Sequence, residues 1–109
     1  MYQGTTPTIP MTFKGIDLTS AKIFVTIEDD KTHELMTFTS GDDFTVEYDS
    51  EHQNTVGYLS LTQEQTLKLT AGNCAIQPRY IFADGQAGAC AKAKLHINPV
   101  ILKKVIQYG

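Results

Sequence analysis

The sequence predicts an all-β protein: an immunoglobulin-like antiparallel β-sandwich of about seven strands, with a small barrel as the alternative. Three observations carry this expectation. Apolar residues recur at every second position in short runs, as at Ile23, Val25 and Ile27, which turns one face of each run inward. Turn residues punctuate the chain roughly every 8 to 12 positions. Residues 73–97 read as a β-hairpin, with Ile76, Tyr80, Ile81 and Phe82 before Ala83-Asp84-Gly85-Gln86, and Ala89, Ala91, Ala93, Leu95 and Ile97 after it. Asp-Gly suits a type I′ turn, because both central residues there need φ > 0 and glycine takes that conformation without steric cost.

In order, Thr5 to Phe13 reads as a first strand. Pro7 and Pro10 cannot donate to a ladder, so this strand belongs at an edge or carries a bulge. Gly15-Ile16-Asp17 turns the chain into a second strand, where Ala21, Ile23, Val25 and Ile27 alternate with Lys22, Phe24, Thr26 and Glu28. Glu28-Asp29-Asp30-Lys31 reads as a polar hairpin loop, Leu35 to Thr39 as a third strand, and Ser40-Gly41-Asp42-Asp43 as the next turn. Phe44, Val46 and Tyr48 form a fourth strand. After a loop from Ser50 to Asn54, a fifth begins at Val56, Tyr58 and Leu59. Thr62 followed by Gln65 is a capping box, which predicts a helical turn near 63–68, with Leu67 and Leu69 packing on the core. The hairpin supplies strands six and seven. Asn98-Pro99 is a good helix opening, and Ile101, Leu102, Val105 and Ile106 then fall on one stripe. A short C-terminal helix or a final strand both suit this segment.

Composition bounds the function. A chain of 109 residues is one domain, 1–109, with enough length to bury a core. Hydrophobic content of 41% and charged content of 19% suit a globular protein. A net charge of −3 disfavours duplex nucleic acid, which needs Lys and Arg to replace its counterions. Basic residues are spread along the chain, and only Lys92, Lys94, Lys103 and Lys104 lie close together. No apolar run approaches the roughly 18 residues of a membrane helix. Residues 1–7 lack the charged and apolar regions of a secretory signal, so synthesis and folding in a cytoplasm are expected.

The cysteines fit that compartment. A two-residue turn at Asp84-Gly85 places Cys74 opposite Leu95 and Cys90 opposite Arg79, about five ladder positions apart, on the order of 16 Å, and on opposite faces. A disulfide needs Cα atoms within about 7 Å, so both thiols are expected to stay reduced.

Catalytic chemistry finds no constellation. A nucleophile needs an adjacent base, yet Cys90 and His96 stand about six strand residues, on the order of 20 Å, apart. Cys74 and Cys90 read as small buried hydrophobes. His33 and His52 complete the imidazoles. No Cys-x-x-Cys or His-Glu-x-x-His spacing points to zinc, and no glycine-rich loop cradles a phosphate. The acidic clusters Glu28-Asp29-Asp30, Asp42-Asp43 and Asp49 with Glu51 have the oxygens calcium takes, but Asp is equally the ordinary turn residue. The expectation is a protein without cofactor, metal or enzymatic activity. Tyr2, Tyr48, Tyr58, Tyr80 and Tyr108 are the side chains a sugar would stack on, without any Trp.

The tail is the best functional lead. Val100, Ile101, Leu102, Val105 and Ile106 lie after the sandwich is complete, and an exposed stripe of this kind marks a partner surface. The competing role is packing back on the same domain. The N-terminal arm, Tyr2-Gln3-Gly4-Thr5-Thr6, carries the same two possibilities. Tyr2 and the five tail residues are therefore the candidate interface.

Further residues carry a resemblance. Tyr2-Gln3-Gly4-Thr5-Thr6-Pro7-Thr8, Asp17-Leu18-Thr19 before Ile23-Phe24-Val25-Thr26, and Gly41-Asp42-Asp43-Phe44-Thr45-Val46 come first. Leu61-Thr62-Gln63-Glu64-Gln65-Thr66-Leu67-Lys68-Leu69, Gly72, Ile76-Gln77-Pro78-Arg79 and Ala83-Asp84-Gly85 follow. This order resembles small proteins encoded in phages and prophages of gut Firmicutes. It is similar to the N-terminal sandwich domains of phage baseplate and tail proteins, including the baseplate upper protein type. The likeness covers nearly the whole chain as a pattern of turns and strands. Pro78 departs from it, which suggests a bulge or an edge. The chain also stops after one domain, where many baseplate proteins continue into a receptor-binding part. The resemblance implies a structural protein of the tail or baseplate, located in the virion and made in the bacterial cytoplasm. Its partners would be other virion proteins in a homo-oligomeric or symmetric assembly. A head decoration or head-completion protein and a carbohydrate-binding module are the alternatives.

Overall fold

The alternation at Ile23, Val25 and Ile27 builds the central strand. In the computed structural model, which describes residues 1–109, β2 spans Lys22–Asp29 and buries these three side chains completely. It lies between β3 (Leu35–Thr39) and β6 (Gly72–Ile81). The chain returns along β6 as two pieces, β7 (Ala87–Ala89) and β8 (Ala93–Ile97). A second sheet has the order β1 (Thr8–Lys14), β5 (Asn54–Ser60), β4 (Val46–Asp49). Every strand pair is antiparallel. β1 starts at Thr8, just after Pro7, rather than at Thr5, and is an edge strand, which accommodates Pro10. The helix α1 (Gln63–Leu67) links β5 to β6.

The two sheets close on one hydrophobic core, giving the all-β sandwich that the sequence predicts. Met11, Phe13 and Leu59 face Ile23, Val25, Ile27, Phe38 and Ile76, and Leu18, Phe44, Leu61, Leu69 and Ile97 seal the ends. Each fully buried side chain of this size contributes on the order of 1.5–3 kcal/mol. The strand order is distinct from the immunoglobulin arrangement, where the second strand shares a sheet with the first, fourth and fifth. Here the short connection Asp30–His33 closes β2 and β3 as a hairpin, which keeps both in one sheet. β5 starts two residues earlier than the sequence suggests. It turns Thr55, Gly57 and Leu59 inward and leaves Tyr58 64% exposed.

There are eight strands rather than seven, because the last predicted strand is broken by a bulge. Arg79 pairs with Ala89 and Ile76 with Ala93, so Cys90–Lys92 stand opposite only Gln77 and Pro78. Pro78 has no N–H to donate. Its carbonyl accepts from the Cys90 N–H at 2.9 Å, and the Gln77 side-chain amide donates to the Cys90 carbonyl at 3.0 Å in place of the missing ladder bond. The extra residue resets the alternation: Ala89 and Ala91 are exposed, while Leu95 and Ile97 turn inward. Cys74 stands opposite Leu95 as expected, but Cys90 is not opposite Arg79. Both cysteines border the core rather than opposite faces. Both are free thiols, and burial pushes each pKa up.

The hairpin turn also differs from type I′. Phe82 N–H donates to the Gln86 carbonyl at 2.8 Å and Gly85 N–H to the Phe82 carbonyl at 2.9 Å, leaving the three-residue loop Ala83-Asp84-Gly85. Gly85 has φ +92°, but Asp84 is not in the left-handed region, and its carboxylate accepts the Gln86 N–H at 2.9 Å. The capping box forms as predicted. Thr62 Oγ1 accepts the Gln65 N–H at 3.1 Å, and Gln65 Oε1 accepts the Thr62 N–H at 2.9 Å. Leu69 is buried, while Leu67 is half-buried. Residues 99–109 form neither the C-terminal helix nor the final strand. A helix this short is marginal without packing, and its backbone finds other partners.

Candidate docking surface

The N-terminal arm is part of the fold. Tyr2 bridges to Asn98 in parallel, just beyond β8. Asn98 N–H donates to the Met1 carbonyl at 2.7 Å and Gln3 N–H to the Asn98 carbonyl at 2.9 Å. The Met1 ammonium donates to the His96 carbonyl at 2.7 Å. Gly4, at φ +72°, turns the arm beside Leu67 and Val100. Thr66 Oγ1 donates to the Thr5 carbonyl at 2.9 Å, tying α1 to the arm.

Gln3 is the buried polar residue at the centre of this junction. Its Nε2 donates to the Leu69 carbonyl at 2.6 Å, and its Oε1 accepts from Lys103 Nζ at 2.8 Å. Lys103 Nζ also donates to the Val100 carbonyl at 2.8 Å. Three residues further on, Gln63 holds Ile106 at both backbone groups: Oε1 accepts the N–H at 2.9 Å, and Nε2 donates to the carbonyl at 3.1 Å. That amide imitates a neighbouring strand. The tail is therefore strapped to the arm through Gln3 and Lys103 and to α1 through Gln63 and the backbone of Ile106.

The apolar side chains consequently face solvent. Ile101 is fully exposed, and Tyr2, Leu102 and Ile106 are more than half exposed. Val105 is 45% exposed. Val100, the sixth candidate, is half-buried against the arm. The structure thus gathers the candidates at one end of the sandwich. Sequence reasoning missed Gln3 and Gln63, which hold them there. A glutamine in a polar stretch carries no local signal, and both act on residues far along the chain.

The other sequence candidates do not converge. Asp49, Glu51 and His52 bring their ligand atoms within 4.8 Å of one another on an exposed loop. His52 Nδ1 lies 2.7 Å from Asp49 Oδ2, and that hydrogen bond is the main reason the Asp49 carboxyl sits below its usual range. Asp43 Oδ2 accepts the Thr39 N–H at 2.7 Å, as a turn residue does. Asp29, expected in a solvated loop, is instead 4% exposed at the end of β2 and faces backbone amides. His96 pairs with Asn73 at 3.3 Å, and His33 with Glu28 at 3.6 Å. Tyr80 faces inward and packs edge-on against Phe82 at 5.8 Å. An apolar groove of about 300 Å³ opens between β1 and the bulge that leads into β8, lined by Ile9, Met11, Phe13, Pro78, Cys90 and Leu95. No helix is long and apolar enough to cross a membrane.

No protein-family model matches the chain, and no curated protein matches its sequence.

Proposed function

We propose that this protein is a non-enzymatic structural component of a phage virion, in the tail or baseplate, that works by docking. The observation that carries the docking role is the strapped tail. Gln3 and Gln63 pin the tail at Lys103 and Ile106, so Ile101, Leu102, Val105 and Ile106 are presented from an anchored backbone. Anchoring the backbone beforehand lowers the segment-ordering cost of docking. A stable contact of this kind buries on the order of 1,200–2,000 Å². Placement in the tail or baseplate rests on the resemblance in turns and strands.

The test is removal of residues 100–109. The shortened chain keeps every strand and the capping box, so it is expected to give the circular dichroism of the full chain while losing assembly into particles. Normal folding with normal assembly refutes docking through the tail. Purified tails that lack the chain by mass spectrometry refute the virion placement.

A further inference from the structure

We infer that the docking tail seats on a second copy of this chain, against the free edge of β4, in a head-to-tail contact. This rests on the docking role proposed above and names its partner. Charge selects this partner. Residues 32–67 contain Glu34, Asp42, Asp43, Glu47, Asp49, Glu51 and Glu64 and no Lys or Arg. Residues 85–109 contain Lys92, Lys94, Lys103 and Lys104 and no Asp or Glu. The ion pairs within the chain are His33–Glu28, His52–Asp49 and Lys68–Glu64, so Lys103, Lys104 and Glu47 have no opposite charge of their own. Lys103 reaches only neutral oxygens of Gln3 and Val100.

Apart from Glu64, which lies on α1 beside the tail, the fold keeps the two charge groups apart. β4 pairs with Asn54–Gly57, the first half of β5, whereas α1 and the tail strapped to it follow the other end of that strand. β4 is the last strand of its sheet, so one row of its backbone groups is open. Tyr48 in β4 and Tyr58 in β5 add exposed aromatic side chains nearby. A tail that carries Lys103 and Lys104 between the aliphatic runs 100–102 and 105–106 suits such an edge. Charge complementarity supplies specificity and encounter rate, and the aliphatic side chains supply buried area. The contact joins different surfaces of two copies, so it is heterologous and propagates as a ring or a filament.

Analytical ultracentrifugation of the full chain tests this. The wild type is expected to self-associate, and to do so less at about 1 M salt than at about 0.1 M, where charges act over about 10 Å. Lys104→Glu and Glu47→Lys are both on exposed side chains, and each is expected to weaken association about fivefold. Mixing the two variants, or combining both changes in one chain, is expected to restore it. A monomeric wild type, or variants that associate as the wild type does, overturns the inference. So does weakening without rescue in the combined chain. Each of those results leaves docking to other virion proteins standing, which falls only if loss of residues 100–109 leaves assembly intact.

Discussion

Replacing Asp29 by Asn is expected to destabilise the fold in a pH-dependent way. The Asp29 carboxylate accepts the Thr70 N–H at 2.6 Å, the Lys31 N–H at 2.9 Å and the Thr32 N–H at 3.2 Å. It therefore closes the β2–β3 hairpin and anchors the segment leading into β6. Burial by itself raises its pKa, but the bonds from Thr70, Lys31 and Thr32 outweigh burial and lower it from 3.8 to about 2. Undiscounted, that shift corresponds to about 2.5 kcal/mol. Asp29 lies just beneath the surface, where water screens part of the interaction, so about 1–2 kcal/mol is the retained share. Because the folded pKa lies below the unfolded one, this stability is fully present above about pH 4 and is lost as pH falls toward 2. Asparagine turns one acceptor into a donor facing backbone N–H groups, so the variant is expected to lose about 2 kcal/mol at neutral pH. In a domain of this size that lowers Tm by about 8–16 °C. The chain has no Trp, so urea unfolding followed by circular dichroism is the suitable assay. Equal midpoints at pH 7, or a gap undiminished at pH 2, would refute the reasoning.

Two other positions give sharp expectations. Thr55 is completely buried, and its Oγ1 donates to the Ile16 carbonyl at 2.7 Å and accepts the Leu18 N–H at 2.8 Å. Thr55→Val keeps the shape but strands both groups, for a loss of about 2–4 kcal/mol in urea unfolding. A loss below about 1 kcal/mol would mean that the Gly15–Leu18 loop simply moves away. At Gly57 an added methyl would lie 2.8 Å from Val46 Cγ1 and 3.1 Å from the Thr45 carbonyl. Gly57→Ala is expected to cost about 1–3 kcal/mol and to raise amide exchange in β4 while sparing β2. Uniform exchange across both sheets would contradict that local origin.

The parts of the fold that follow from neighbours in sequence are legible in the residues. The alternation of β2, the edge position of β1 and the Thr62–Gln65 box all follow from local chemistry. What escapes are features decided across the sandwich. The bulge at Cys90–Lys92 depends on which strand faces Pro78, and it undoes an alternation that is flawless in sequence from Ala89 to Ile97. The stripe at residues 101–106 suits a helix, but Gln63, 43 positions away, satisfies the backbone of Ile106 and the segment stays irregular. The acidic label on Asp29 points outward until Thr70 arrives to bury it. Within the candidate surface, the apolar residues are visible from composition and order. The glutamines that brace them are visible only once the two chain ends meet.

That meeting of the ends bears on how the protein can be handled. The Met1 ammonium is bonded to the His96 carbonyl, so an affinity tag fused ahead of it displaces that contact, and a tag behind Gly109 hangs beside the same surface. Either label would mask the region whose binding is to be measured. The Ala83–Gly85 loop is solvent-exposed and belongs to the hairpin that leaves β6 at the end remote from Gly72 and Ile97. A fluorophore or an epitope inserted there would report on assembly while leaving both ends untouched.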